Sequence, residues 1–339
     1  MNALISVAPS NRGDPVTRAA YAALLAHTRK APVGEVAQKL FPKDRAALAF
    51  VTRDATDLGT SDGWGAPLFG AGVQDFLGTL TPYSVIASLM SKGITASFES
   101  SPDMSFPARS TNPAEYGLVT EGGPIPARAA SLASVTLTVG KIGGLIAISG
   151  TLAKHANGQA VVETLVREDA GRSLDAAYLS TATGGLLHGV TPIIPDVAEG
   201  REAMLNDLAA VTSAAAANGS GNVSIIASPS RFAKIRVLAP NFDLPLFASI
   251  AVPTNRLVAI DATALVHGFG SNPEIAASNA SVVHMDTDPS QIIAAGPTLA
   301  SPVRSMFQTN GVAVKCMLDI AFGKRTSTCT AYIDDIANW

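Results

Sequence analysis

Two pairs of carboxylates are the first residues in this sequence whose types and spacing could do chemistry. Asp286 and Asp288, in HMDTDPSQ, alternate as oxygen ligands to a divalent cation would. Glu168 beside Asp169 offers an acid and a base for proton transfer. A solvated turn is the favoured reading of the first pair and a solvated helix face that of the second. His27, His155, His188, His267 and His284 show no metal-ligand spacing. The stretch GAGVQD at 70–75 is half of a dinucleotide fingerprint, but it follows a glycine-rich coil where a strand is required. The chain contains no phosphate-binding G-x-x-x-x-G-K-[ST], no nucleophile elbow G-x-S-x-G and no zinc motif H-E-x-x-H. The expectation is a protein that is not an enzyme, with no catalytic residues, no metal site and no cofactor.

Composition points elsewhere. Of 339 residues, 47% are hydrophobic and only 15% charged, against about 25% charged in an ordinary soluble domain. Much of the surface is therefore either polar and uncharged or covered by other chains; a chain simply rich in alanine would show the same figures. The net charge of -3, from 24 basic and 27 acidic side chains, comes without a dense Lys/Arg block. That argues against a specific nucleic-acid-binding face, which needs clustered cations. No basic leader precedes a long apolar stretch, and no window reaches the roughly 18 apolar residues of a membrane span. A cytoplasmic protein is expected. Two cysteines, Cys316 and Cys329, are too few for a disulfide framework or a zinc site. RGD at 12–14 is a chance triplet in a chain without a secretion signal.

The elements that would position any site follow from periodicity. Residues 15–52 carry helix formers broken at Pro32 and Pro42. Glycine-rich sequence at 55–72 reads as linker, and helical spacing resumes through Phe76, Leu80, Ile86 and Leu89. The stretch 118–149 is a long hairpin in which Arg128 is the only charge between Glu121 and Lys141. Ala133, Val135, Leu137 and Val139 alternate there with Ser134, Thr136 and Thr138, the period of a strand with one covered face. Glycines and prolines in EGGPIPA make a turn ahead of it. Such an arm is marginal alone, so its apolar face needs a partner. A helix of about 34 Å is expected at 157–179. Helices and strands then alternate through 191–300 as an α/β lobe. In the final stretch Val312, Val314, Cys316, Leu318 and Ile320 share a face. A turn at Gly323 and Lys324 is expected to return residues 326–333 as their antiparallel partner, with both cysteines buried on paired strands.

Taken in order, a helical N-terminus, an arm beginning VTEGGPIP, a long helix after ISGTLAKHANGQAVVETLVREDAGRSLDAAYLS, an α/β lobe and a closing PVRSMFQTNGVAVKCMLDIAF resemble the major capsid protein of tailed bacteriophages. The resemblance covers about residues 72–339 and implies the α+β Hong Kong 97-type fold. It implies an N-terminal helical arm and linker at 1–72, the start of a peripheral domain at 73–105, an E-loop at 106–149, the spine helix of the peripheral domain within 150–190, an axial domain at 191–300 and closing peripheral strands at 301–339. Residues 1–55, short for a removable scaffolding segment, are expected to stay as arm. Glu121, Gly122, Gly123, Pro124, Arg128, Val135 and Leu137 would then meet a neighbouring subunit, while Val162 and Leu165 would face the core under the spine helix. The implied function is self-assembly into pentamers and hexamers of an icosahedral shell. Its implied partners are a portal, decoration proteins and non-specifically packaged double-stranded DNA, without a membrane; its implied location is the virion capsid, assembled in the bacterial cytoplasm. Some members of that family crosslink through an E-loop lysine. No lysine lies in the tip at 121–137 and Lys141 is further down the strand, so a shell without covalent crosslinks is expected. Two alternatives remain open at this point: an encapsulin-like nanocompartment on the same fold, and a soluble α/β enzyme.

Overall fold

The computed structural model describes residues 15–51, 76–98, 103–107, 119, 121, 134–151, 158–217, 220–270, 274–284 and 303–339. In chain order the helices α1 (Pro15–Arg29), α2 (Val33–Leu40) and α3 (Arg45–Val51) come first, then α4 (Val85–Met90), β1 (Ile94–Phe98) and β2 (Asp103–Pro107). β3 (Ser134–Thr138) and β4 (Gly140–Ser149) precede the long helix α5 (Gly158–Tyr178) and α6 (Gly200–Ala216). β5 (Val223–Ala227), α7 (Pro229–Leu238), β6 (Leu246–Ala248), β7 (Leu257–Asp261) and β8 (Leu265–Gly270) follow. The chain continues through β9 (Glu274–Ser278), β10 (Val282–His284), β11 (Val303–Ser305), β12 (Gly311–Lys324) and β13 (Thr330–Ile333). Among the described residues no helix is long and apolar enough to cross a membrane.

The chain divides into two compact units, each built from three separate stretches. The first takes the described residues of Met1–Leu80, Lys141–Ala170 and Gly270–Asp319; the second takes those of Thr81–Gly140, Gly171–Phe269 and Ile320–Trp339. α5 and β12 each have residues in both.

The first unit is organised around α1. Its alanines let neighbours approach from every side, and Val16, Thr17 and all residues from Ala19 to Ala26 are buried. A helix apolar on all faces has to be enclosed. Leu24, Leu25, Val36 and Phe41 pack with Ile148 of β4, Val162 and Val166 of α5, and Val312 and Val314 of β12. Arg18 Nη1 donates to Asp44 Oδ2 at 2.6 Å, and Asp44 Oδ1 caps α3 by accepting from the Ala47 amide at 3.0 Å. The expected N-terminal arm is thus, over residues 15–51, part of a core. β9 pairs antiparallel with β12 from Ala313↔Ser278 to Met317↔Glu274.

On α5 the expected core position of Leu165 is corrected. Val162 and Val166 are buried, one turn apart, whereas Leu165 is 37% exposed. At 100° per residue the buried arc runs through Val162, Glu163, Val166 and Arg167, which turns Val161 and Leu165 to the opposite side. Arg167 fixes that phase by reaching Glu163 Oε2 at 3.3 Å and Thr17 Oγ1 of α1 at 3.4 Å.

In the second unit a four-stranded sheet runs in the order β13-β7-β5-β6, with β5 and β6 parallel and the other pairs antiparallel. Every residue of β5 and β7 is buried, as strands covered on both faces must be. Met204, Leu208, Val211 and Ala215 of α6 and Ile235 of α7 pack against it, together with Trp339. The expected hairpin between β12 and residues 326–333 does not form: β12 pairs with β8 from Ile320↔Phe269 to Lys324↔Leu265, and β13 pairs with β7. Gly323 is strand, not turn, paired with Val266 of β8, and a glycine is needed there because a side chain would collide with Leu137. The two cysteines are accordingly not on paired strands; Cys316 is half-buried in β12, and Cys329 is buried just ahead of β13.

Truncating Leu24, fully buried against its cluster, to alanine is expected to lower the stability of the unassembled subunit by about 2 to 5 kcal/mol. Leu165→Ala is expected to change it by about 1 kcal/mol or less. Urea titrations of both variants check the phase of α5, which is wrong if the two losses are equal.

Candidate functional site

The arm expected to reach a neighbouring subunit starts on a short two-stranded ladder. β2 and β3 pair antiparallel in the register Asp103↔Thr138, Met104↔Leu137, Ser105↔Thr136, Phe106↔Val135 and Pro107↔Ser134. The apolar alternation read from the sequence is real, but its cover is supplied by the same chain. Leu137 is 2% exposed and clusters with Val266 of β8 and Ala321 of β12, and Val135 packs against that cluster. Leu137 is therefore corrected from a contact between subunits to a core residue, and the ladder at the base of the arm is anchored in cis. Glu121 is an exposed turn residue. Gly122, Gly123, Pro124 and Arg128 lie outside the described residues, as do Asp286 and Asp288. Lys141 is in β4, largely exposed, 3.7 Å from Asp319 of β12; Glu168 and Asp169 are exposed on α5. No three His, Cys, Asp or Glu side chains converge among the described residues.

The buried polar groups of the second unit are engaged in structure. Asp175 of α5 accepts from Ser84 Oγ and Ser249 Oγ, each at 2.6 Å, and from the amides of Val85 and Ile86 at 3.2 and 3.1 Å. It therefore caps α4 jointly with Ser84, whose Oγ accepts from the Ala87 amide at 3.0 Å. Asp261 accepts from Ser220 N at 2.6 Å and Thr263 Oγ1 at 2.7 Å. Burial raises its carboxyl, but the hydrogen bonds from Thr263 and Ser220 outweigh that and hold it below the usual carboxylate range. Tyr178 Oη and His267 Nδ1 share a hydrogen bond at 3.0 Å, and the Tyr178 ring stacks on Phe322 at 3.7 Å. His267 is fully buried, its Nε2 has no partner among the described residues, and burial pushes its pKa down to about 4. Burial also pushes Tyr178 up, and the Cys329 thiol up to about 11. Near neutral pH these groups are uncharged, and the thiol is too weak an acid to be a nucleophile.

What the sequence reading missed is a set of exposed apolar side chains in the second unit, among them Ile194 and Val197 ahead of α6, Val237 on α7 and Ile250 after β6. The signal was present in TPIIPDVAE at 191–199: prolines on both sides of Ile193 and Ile194 exclude a helix or central strand, so these isoleucines sit in a loop.

Comparison with known proteins adds to this geometry. Residues 72–268 match the family model described as the phage capsid family. No curated protein matches the chain at a significant level. Among solved structures, a chain of Mycobacterium phage Bobi superposes with a TM-score of 0.50 at 13% identity, over 73% of this chain and 89% of that one. A chain from the procapsid of satellite phage P4, solved with its size determination (Sid) protein, gives 0.49 at 10% identity, over 78% and 91%. One from a virus-like particle of Pyrococcus furiosus gives 0.45 at 12%, over 76% and 96%. At such identity the likeness to the Bobi chain is one of fold.

The buried histidine sets an acid limit on stability. Free imidazole takes its proton near pH 6.5, whereas His267 in the folded chain does so only near 4. Between those values the unfolded chain binds more protons, so stability falls as pH drops from about 6.5 to about 4, by about 3 kcal/mol in all. The depressed Asp261 acts in the same direction, its contribution being lost as pH falls through its folded pKa. Urea midpoints measured from pH 7 to pH 4 should show the slope, and His267→Gln should flatten it between about pH 6.5 and about 4. An unchanged slope in that variant would show that His267 is not its source.

Proposed function

The chain belongs to the phage capsid family, and from that membership we propose that its copies close into an icosahedral shell, in pentamers and hexamers, around double-stranded DNA. It is a structural shell protein of the Hong Kong 97-type fold, and its place is the capsid of the virion. The family match over residues 72–268 carries this reading. The low charged fraction and the exposed apolar side chains support it, because a shell subunit keeps uncharged surface for contacts with its copies.

Within that shell the long helix α5 is the spine of the peripheral domain, and the four-stranded sheet with α6 and α7 is the axial lobe. β13 belongs to this sheet, so the axial lobe takes in residues 330–333, while β9 and β10, inside the expected 191–300, belong to the first unit. The arm between β2 and β3, with Gly122, Gly123, Pro124 and Arg128 in its sequence, extends over a neighbouring subunit from the ladder anchored by Leu137. The shell is assembled in the host cytoplasm, works with a portal, accepts decoration proteins and carries no catalytic activity. Its DNA is held without sequence preference, since the chain offers no dense cationic block.

Negative-stain microscopy of the purified protein, with nucleic-acid analysis of particles from infected cells, tests the reading. Closed shells filled with DNA are expected; cages around protein cargo would favour a nanocompartment, and a monomer with turnover would end the shell reading. Boiled in denaturant with reductant, the particles should run as one band near 34.7 kDa. A ladder of covalent oligomers would refute the non-covalent shell and direct mutagenesis to Lys141. Deleting residues 122–133, which spares β3 and Leu137, should leave a folded subunit while abolishing particles; normal particles from that variant would remove the arm from the assembly contacts.

A further inference from the structure

The loop at 191–199 is pinned along its length. Ile193 N donates to Tyr332 O at 2.8 Å, and Ile193 bridges Ile333 at the edge of the four-stranded sheet. The Asp196 amide donates to Asp207 Oδ1 at 2.8 Å. The Asp196 carboxylate accepts from Ala198 N at 2.9 Å and Asn206 Nδ2 at 2.6 Å, and its carbonyl accepts from Asn338 Nδ2 at 2.8 Å. Asp207 is fixed in turn by Trp339 Nε1 at 2.7 Å. On this framework Ile194 is 86% and Val197 91% exposed. Both are β-branched, with few rotamers to lose, and their backbone is already ordered. Covering them removes apolar surface from water at little entropic cost, the condition under which a small contact contributes most to association.

We propose that Ile194 and Val197 form a contact between copies of this chain, docking against a second copy in the shell. The inference rests on the shell reading above, and it is that reading which supplies the occupant: the family's self-assembly is the partnership supported for this chain, and both residues lie inside the stretch that matches the family. The chemistry agrees. Two aliphatic side chains offer nothing to a phosphate or a cation, and the neighbouring Asp196 carboxylate is held within the loop by Ala198 N and Asn206 Nδ2.

The test compares the full chain with the double variant Ile194→Asp/Val197→Asp in a light-scattering assembly assay over a concentration series. The variant is expected to keep the far-UV spectrum and urea midpoint of the unassembled wild type, and to raise the concentration needed for particles at least tenfold. If the aspartates impair folding, Ile194→Ser/Val197→Ser decides, with a smaller rise of the same sign. Asp196→Ala, which keeps both side chains and loosens their support, should raise the threshold a few-fold. A folded double variant that assembles at the wild-type threshold overturns this contact and leaves the shell reading standing. A wild type that assembles at no concentration overturns the shell reading, and the contact with it.

Discussion

Asp175 is a buried carboxylate with no cation against it among the described residues, and four hydrogen bonds from two hydroxyls and two amides take the place of one. They connect α5, the start of α4 and the residue after β6, so three stretches far apart in sequence depend on one side chain. A buried charge is tolerable only where every lone pair is met, and short O–H···O bonds of 2.6 Å are among the stronger ways to meet them. The same rule appears with opposite sign at Arg231. Its guanidinium donates to the carbonyls of Thr254, Trp339 and Ile336 and lies over the Trp339 ring at 4.1 Å. In the first unit largely buried charges are met by opposite charges instead, Arg18 with Asp44 and Arg167 with Glu163.

Neutral partners serve at the surface as well. A carboxylate held by amides keeps its charge but is fixed in place, and apolar side chains can stand exposed beside it on an ordered backbone. Asp196 and its neighbours Ile194 and Val197 are the clearest case. Hydrogen bonds hold the shape of the loop while the aliphatic side chains of Ile194 and Val197 are left exposed.

The sequence made local features legible and left the non-local ones open. The extent of α5 follows from a run of helix formers between breakers, and the alternation of Val135 and Leu137 follows from strand period; both depend on near neighbours. That Leu137 is covered by Val266 and Ala321, and that β13 joins β7 and not β12, are decided by residues about 70 to 190 positions away, whose pairing leaves no local trace. Leu165 illustrates a finer limit. Spacings of three and four both fit a helix face, and the packing of Val162 and Val166 against α1 and β12, with Arg167 reaching Glu163 and Thr17, chose between them. The exposed Ile194 was readable from its flanking prolines.

Both units are assembled from three discontinuous stretches, and β12 and β13 are made after everything they pair with. On the ribosome, neither unit can therefore close until the strand beginning at Gly311 has emerged. Until then β9 lacks its partner, β8 lacks β12, and the edge of β7 that receives β13 is bare. Synthesis order thus works as a timer. Copies still being translated do not yet have the finished surfaces of a subunit, and joining the shell is deferred to chains that are nearly complete.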